Sequence, residues 1–349
     1  MCDDFIIISG PCSAESEEQL LQTALELKQF VNPTFFRAGI WKPRTRPGTF
    51  EGIGNEAVKW LAKVEDITRI PVITEAGSAQ HVKILLENNI KNFWIGARTV
   101  ANPFSVQEIA DACEDKEVNV FIKNPIYPDI ELWTGAIERF LNKGISEVAA
   151  IHRGFYPFRK TQLRNIPDWE IPIELARRFP NLKIITDPSH IAGNKIYIKE
   201  ICQKAIDLNF CGIMVETHYR PESARSDKGQ QITPKEFKEI LDSLTYRNIS
   251  STNIDFKSEL NNLREKIDVI DFQLIDMLEH RFKLVDEIGK LKKKHNVKIL
   301  QLDRWKSMVE SRLKYVCDES ISREFLLKLL QMIHKESIKR QNDIFRNED

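Results

Sequence analysis

The sequence has no surplus of either charge: Lys plus Arg and Asp plus Glu number 51 each. Nothing in the global balance points to nucleic acid or an anionic membrane as a partner, so any anion site must be local. No apolar stretch approaches the roughly 20 residues of a membrane span. The start, Met1-Cys2-Asp3-Asp4, is acidic and leads into the short apolar run Phe5 to Ile8, without the basic region and longer apolar region of a secretion signal. The six cysteines (Cys2, Cys12, Cys113, Cys202, Cys211, Cys317) form no CxxC pair and no disulfide-framework spacing. These absences predict a cytoplasmic, reduced protein.

What is present is an alternation. From residue 5 to about 245, β-rich runs alternate with helical stretches, the signature of parallel strands joined by crossover helices. The runs are FIIIS, TFFRAG, PVITEA, NFWIGA, VNVFIKN, EVAAIHR, KIITDPSH and GIMVETH. Eight such units predict a (β/α)8 barrel over residues 1–245. A doubly wound open sheet is the alternative, but no glycine-rich dinucleotide loop follows the first run. The polar, turn-prone stretch YRNISSTNID marks a linker over 246–256, after which only helical periodicity remains. Leu260, Leu263, Ile267, Ile270, Leu274, Met277, Leu278, Leu284, Val285, Ile288 and Leu291 recur at helical spacing. With two shorter helices, around Leu302 to Tyr315 and Ser322 to Asn342, they predict an all-α, three-helix domain over 257–349. One long and two short helices leave apolar surface uncovered, so this domain is expected to pair with a second copy, making the protein at least a homodimer.

In a parallel barrel the carboxyl ends of the strands face the active site. Cys12 follows the first run, His190 the seventh and Glu216 the eighth, with Asp227 in the loop beyond. Singly, each is commonly a core or solvated residue. Together, a thiol, an imidazole and two carboxylates at one mouth suit a divalent transition metal, without choosing between manganese, iron, cobalt and zinc. Arg37, Lys42, Arg98, Lys123 and Arg153 occupy the same end, each following or interrupting a buried run where an unpaired cation is costly. They call for an anionic ligand, such as a phosphate together with a carboxylate.

The strings GPCSAES, FRAGIWKPRT, IGART, FIKNP, HRG, DPSH and ETHYRPESARSDKGQQ, in this order, resemble the motifs of the type I 3-deoxy-D-arabino-heptulosonate 7-phosphate (DAHP) synthases. The resemblance implies that Cys12, His190, Glu216 and Asp227 bind the metal. It implies that Arg37, Lys42, Arg98, Lys123 and Arg153 hold phosphoenolpyruvate, and that Arg44 and Thr45 hold erythrose 4-phosphate, with Lys42 and Lys123 in catalytic roles. The nearest competitor, a 3-deoxy-octulosonate 8-phosphate synthase-like barrel with a non-catalytic helical domain, has a segment resembling Ala-Asn-Arg-Ser where this sequence has Pro43-Arg44-Thr45. A phosphate-binding barrel without catalysis would have no use for the metal site.

On the long helix, Arg281 and Lys292 lie on one stripe, about 20° beyond three turns apart. Arg264 lies about 26 Å from Arg281 along the axis and cannot easily serve the same pocket, although it could serve a partner's. Ser337 and Gln341 share a face at i, i+4. The strings LREKIDVIDFQLIDMLEHRFKLVDEIGKLK, DRW and HKESIKRQ resemble the all-helical chorismate mutases. The match implies that Arg281, Lys292, Arg304, Ser337 and Gln341 line a chorismate pocket, with Lys292 and Gln341 on the ether oxygen and Arg264 supplied by the second subunit. Where many family members place acidic residues near the substrate hydroxyl, this sequence has Gln301 and Trp305. The alternative is a mutase fold kept for dimerisation or regulation. No direct site for free aromatic amino acids is legible. Because the first run begins at Phe5 and the helical domain is the only appendage, that domain is expected also to sense prephenate and regulate the barrel, using the polar linker for movement.

Overall fold

The computed structural model describes residues 5–43, 48–159, 161–247, 250–316 and 321–346. The chain divides into two compact units, residues 1–249 and 250–349.

In the first unit eight parallel strands close into a barrel in sequence order, the last pairing with the first. They are β1 (Ile6–Gly10), β2 (Phe35–Arg37), β3 (Val72–Glu75), β4 (Asn92–Ile95), β5 (Asn119–Lys123), β6 (Glu147–His152), β7 (Lys183–Thr186) and β8 (Gly212–Glu216). Each is buried on both faces, which is why each reads as a nearly continuous apolar run. Ile8, Ile73, Trp94, Phe121, Ile151, Ile185 and Met214 fill the barrel interior. Alternate residues such as Phe36, Phe93, Ile95, Val120 and Ile213 face the surrounding helices.

The helices of this unit are α1 (Glu17–Phe30), α2 (Glu56–Thr68), α3 (Ala79–Glu87), α4 (Ala97–Val100), α5 (Pro103–Ala112), α6 (Ile130–Asn142), α7 (Glu170–Arg178), α8 (Pro188–Ala192), α9 (Ile198–Asp207) and α10 (Pro234–Asp242). Side-chain caps set several of their starts, including Ser16 on α1 and the reciprocal Thr233–Glu236 capping box on α10. The seventh apolar run is shorter than its string suggests. Asp187 leaves the strand and caps α8, accepting the His190 backbone N–H, so Pro188 to His190 are helical.

The β1–β8 register sets Gly10 opposite Glu216. Only glycine fits there, because a Cβ on Gly10 would lie 2.1 Å from the Arg37 carbonyl oxygen. This close approach brings the ends of β1, β2 and β8 together.

The second unit comprises α11 (Ile254–Lys294), α12 (Leu302–Tyr315) and α13 (Arg323–Arg346). The 41-residue α11 begins inside the stretch read as linker, capped by Asn253. It packs against α13, which also packs against α12. Gly289 permits the approach, since a Cβ there would meet Ile344 at 3.0 Å and Gln341 at 3.2 Å. Leu263, Ile267, Ile270 and Leu274 on α11 are more than half exposed within this single chain.

Cys12, Cys113 and Cys202 are free and buried. Cys211 is disulfide-bonded, correcting the expectation of a wholly reduced chain. Spatial approach rather than sequence spacing decides such a bond. Among the described residues, no helix is long and apolar enough to cross a membrane.

Candidate active site

Two cavities collect most of the residues singled out in the sequence, one in each unit.

The barrel cavity has a volume of about 220 Å³ and is lined by Lys42, Arg98, Lys123, Arg153, His190 and Asp227, among others. Beside it, one donor atom each from Cys12, Glu216 and Asp227 lies within 4.8 Å of the other two. His190 is not part of that set, but its Nε2 is 3.8 Å from Glu216 Oε1. The opposite ring nitrogen, Nδ1, lies 2.8 Å from Asp187 Oδ2. Such a carboxylate favours the Nδ1–H tautomer and leaves the Nε2 lone pair available as a ligand.

The electrostatics fit a cation among these groups. Burial, and then the Glu216 carboxylate, push the Cys12 thiol up to about 12. Burial would raise Asp227 too, but Arg164, His190 and Lys42 outweigh it and hold the carboxyl down at about 2. Glu216 Oε1 is buried without a hydrogen bond, although the Arg37 guanidinium stands 3.2 Å away. A soft thiol, an imidazole nitrogen and two carboxylates make a donor set suited to a divalent transition ion.

Of the five cations, Lys42, Arg98, Lys123 and Arg153 line the cavity, and Arg37 stands beside Glu216 and Cys12. Arg37 is only 1% exposed, yet its Nε and Nη1 have no hydrogen-bond partner. It stacks over Trp94 at 4.8 Å and donates from Nη2 to the Cys12 carbonyl. Buried donors of this kind are rarely left unmet, so they point to a ligand. Lys42 Nζ reaches Cys12 Sγ at 3.1 Å. Lys123 forms a 2.8 Å ion pair with Asp187. Arg153 is positioned by Asn124, whose side-chain oxygen accepts its backbone N–H at 2.7 Å, and burial lowers its guanidinium to about 10. Arg44 and Thr45 lie outside the described residues.

Besides Asn124, three participants among the described residues were not singled out in the sequence. Asp187 bridges Lys123 and His190. Arg164 pairs with Asp227 at 3.1 Å and donates to Gln230, which in turn donates to Glu216. Glu75 accepts from the Trp94 indole and packs so closely that a Cβ on Gly96 would lie 2.1 Å from it. Of these, only Asp187 carried a signal: the Asp-Pro-Ser-His string is a helix start as well as a strand end.

The second cavity, about 950 Å³, is walled by all three helices of its unit. Arg281 and Lys292 come from α11, Arg304 and Trp305 from α12, and Ser337 and Gln341 from α13. Arg281 donates to Ser337 at 2.9 Å, and Ser337 donates to the Ile333 carbonyl. Lys292 donates to the Ile299 carbonyl at 2.6 Å. The Gln341 Oε1 is buried and unpartnered. Arg264 is exposed on α11 and does not line this cavity. His334, which does line it, was not singled out in the sequence.

The model of the DAHP synthetase I family matches residues 2–248. The chain belongs to that family. Beyond the DAHP synthetase I match, a second one covers most of the helical unit: the model of chorismate mutase type II fits residues 263–342. A phospho-2-dehydro-3-deoxyheptonate aldolase from Thermotoga maritima is 32% identical over 238 residues, covering 68% of each chain. The T-protein of Enterobacter agglomerans is 33% identical over 86 residues, 25% of this chain and 23% of that one. Among solved structures, a phospho-2-dehydro-3-deoxyheptonate aldolase (DAHP synthase) from Thermotoga maritima superposes with a TM-score of 0.62 at 31% identity, covering 68% of this chain and 67% of the other.

Proposed function

We propose that the barrel unit condenses phosphoenolpyruvate with erythrose 4-phosphate to give DAHP, and that the helical unit rearranges chorismate to prephenate, two steps of aromatic amino acid biosynthesis. The first activity is carried by one juxtaposition: the Cys12–Glu216–Asp227 donor set stands beside a cavity lined by Lys42, Arg98, Lys123 and Arg153.

Cys12, His190, Glu216 and Asp227 would hold a divalent ion, which would supply Lewis-acid polarisation of the aldehyde oxygen. The chain itself must bring together two anions that repel each other. Arg37, with two unmet buried donors, and Arg98, Lys123 and Arg153 hold the carboxylate and phosphate of phosphoenolpyruvate. Arg44 and Thr45 take the phosphate of the aldose. In that alignment the enol methylene carbon bonds to the aldehyde carbon, whose oxygen takes up a proton, water adds to the phosphate-bearing carbon and gives up a proton, and phosphate leaves by C–O cleavage. Lys42 and Lys123 stabilise charge on the reacting oxygens, with Asp187 keeping Lys123 in place. No side chain is required as a covalent nucleophile.

The mutase reaction needs neither acid nor base. Arg281 and Arg304 hold the substrate carboxylates, Lys292 and Gln341 address the ether oxygen where negative charge develops, and the cavity selects the chair-like conformer. A homodimer through the helical unit is supported by the exposed apolar face of α11, with Arg264 serving the partner's cavity. Prephenate bound in this unit is further proposed to regulate the synthase. A cytoplasmic setting is proposed on the free Cys12 thiol, with the Cys211 disulfide standing against it.

The deciding experiment measures phosphate release from phosphoenolpyruvate with erythrose 4-phosphate and with arabinose 5-phosphate, alongside loss of chorismate absorbance. Preference for the five-carbon aldose would replace the heptulosonate reading. Failure to consume chorismate would remove the mutase.

A further inference from the structure

His334 stands on α13 ahead of Ser337 and Gln341, at spacings that put the three within about 60° of one another around the helix. Its ring stacks on the indole of Trp305, with centroids 4.0 Å apart and planes inclined by 19°. Both rings line the cavity to which Arg281, Lys292 and Arg304 contribute positive charge. The imidazole Nε2 is enclosed and has no hydrogen-bond partner, the same condition as the Gln341 Oε1 further along the stripe. Enclosed polar atoms without partners carry a desolvation cost that a bound ligand can relieve.

The chemistry of the pocket says which part of the ligand this nitrogen meets. Burial, reinforced by the charges of Arg281 and Lys292, holds His334 below the ordinary imidazole value, so it faces the ligand uncharged. A neutral imidazole beside guanidinium groups is the weaker partner for a carboxylate and a suitable one for an uncharged hydroxyl. Chorismate carries two carboxylates, an ether oxygen and one ring hydroxyl. Arg281 and Arg304 answer the carboxylates, and Lys292 with Gln341 the ether oxygen. Ser337 is occupied by Arg281 and the Ile333 carbonyl. Gln301 and Asp303 also border the cavity, but both are exposed at the start of α12. We propose that His334 is a further substrate-contacting residue, addressing the ring hydroxyl of chorismate, with Trp305 as the platform that fixes the imidazole plane. The proposal rests on the chorismate reading of this cavity and adds to it a residue that determines specificity.

The test uses the full chain as wild type, His334→Ala, His334→Gln and Trp305→Ala, each with chorismate and with a chorismate analogue lacking the ring hydroxyl. His334→Ala is expected to lower kcat/KM for chorismate about tenfold, the size of one lost hydrogen bond, and to leave the analogue within about twofold of wild type. His334→Gln keeps a neutral donor and should recover part of the loss, while Trp305→Ala should show the same substrate dependence at smaller size. Equal losses on both substrates would make His334 a packing residue and overturn the proposal, as would no loss at all. Prephenate, which retains a ring hydroxyl, provides the second measurement, by calorimetry. If wild type binds prephenate but does not turn over chorismate, the mutase activity falls while the contact is still scored by affinity, and equal affinity in His334→Ala overturns it. A wild type that neither binds nor reacts sinks both readings.

Discussion

Asp187 and Lys123, 64 residues apart in the chain, form a 2.8 Å ion pair with both side chains buried. The same carboxylate holds His190 Nδ1 at 2.8 Å, so one side chain orients both a cation and an imidazole that line the barrel cavity. Burial alone would raise its pKa, but His190 and Lys123 hold it well below the carboxylate range. Asp187→Asn should weaken metal affinity by about 10–100-fold, as for other partners behind a histidine ligand. Asp187→Ala, which strands the Lys123 charge, should cost about 3–5 kcal/mol of stability. Metal titration and denaturant unfolding check the two figures separately, and an unchanged metal affinity in Asp187→Asn would show that His190 does not depend on it.

Metal removal should divide the two activities. Chelation is expected to abolish synthase turnover and leave chorismate turnover intact, and Cys12→Ser should act in the same direction by replacing the soft ligand. Full synthase activity in rigorously metal-free protein would defeat the assignment of Cys12, His190, Glu216 and Asp227.

Lys292→Ala should lower chorismate turnover by about 10²–10³-fold, because the ether oxygen loses its cation. Lys292 also bonds the Ile299 carbonyl, so circular dichroism should accompany the assay to show that the helices persist. Synthase activity of this variant should stay near wild type. Unchanged chorismate turnover would remove Lys292 from the pocket.

His152 is fully buried among Trp133, Phe155 and Trp169, and burial lowers its pKa to about 3 from an ordinary 6.5. Between those values the unfolded chain takes up a proton that the folded chain refuses. Stability tied to the neutral ring is therefore complete above pH 6.5 and is lost as pH falls toward 3. Urea midpoints measured across this window should fall less steeply for His152→Phe than for wild type. Parallel curves would show that the ring does not contribute to acid unfolding.

Regulation is tested by measuring synthase rate against prephenate concentration, for the full chain and for a chain ending at Tyr246. Inhibition is expected in the first and not in the second, because a ligand shifts a conformational equilibrium only where it binds one state better than another. Inhibition of equal strength in both would exclude the helical unit as the sensor.

The barrel was legible in the sequence because its strands are buried on both faces, and strand-end position was enough to bring Cys12, His190, Glu216 and the five cations to one mouth. The Asp187–His190 segment misled as part of a strand, since Asp-Pro serves equally well to leave a strand and to cap a helix. Arg164 and Asn124 were not legible, because their roles are set by Asp227 and Arg153, which only the closed barrel brings near them. His334 lay in plain view at i−3 from Ser337, yet a lone histidine on a helix gives no signal until Trp305 is found stacked against it.

The closing pair of the barrel joins β1 to β8, and the donor set draws Cys12 from one end of the first unit and Glu216 and Asp227 from the other. During synthesis at about 5–20 residues per second, the roughly 210 residues between Ile6 and Glu216 delay that meeting by about 10–40 s. Until then β1 has only β2 as a strand partner on the nascent chain, and Cys12 is a thiol without Glu216 and Asp227 beside it. Metal capture by the proposed ligands would therefore mark the end of barrel assembly, and an ion that binds them all together would arrive after the ribosome has passed Asp227.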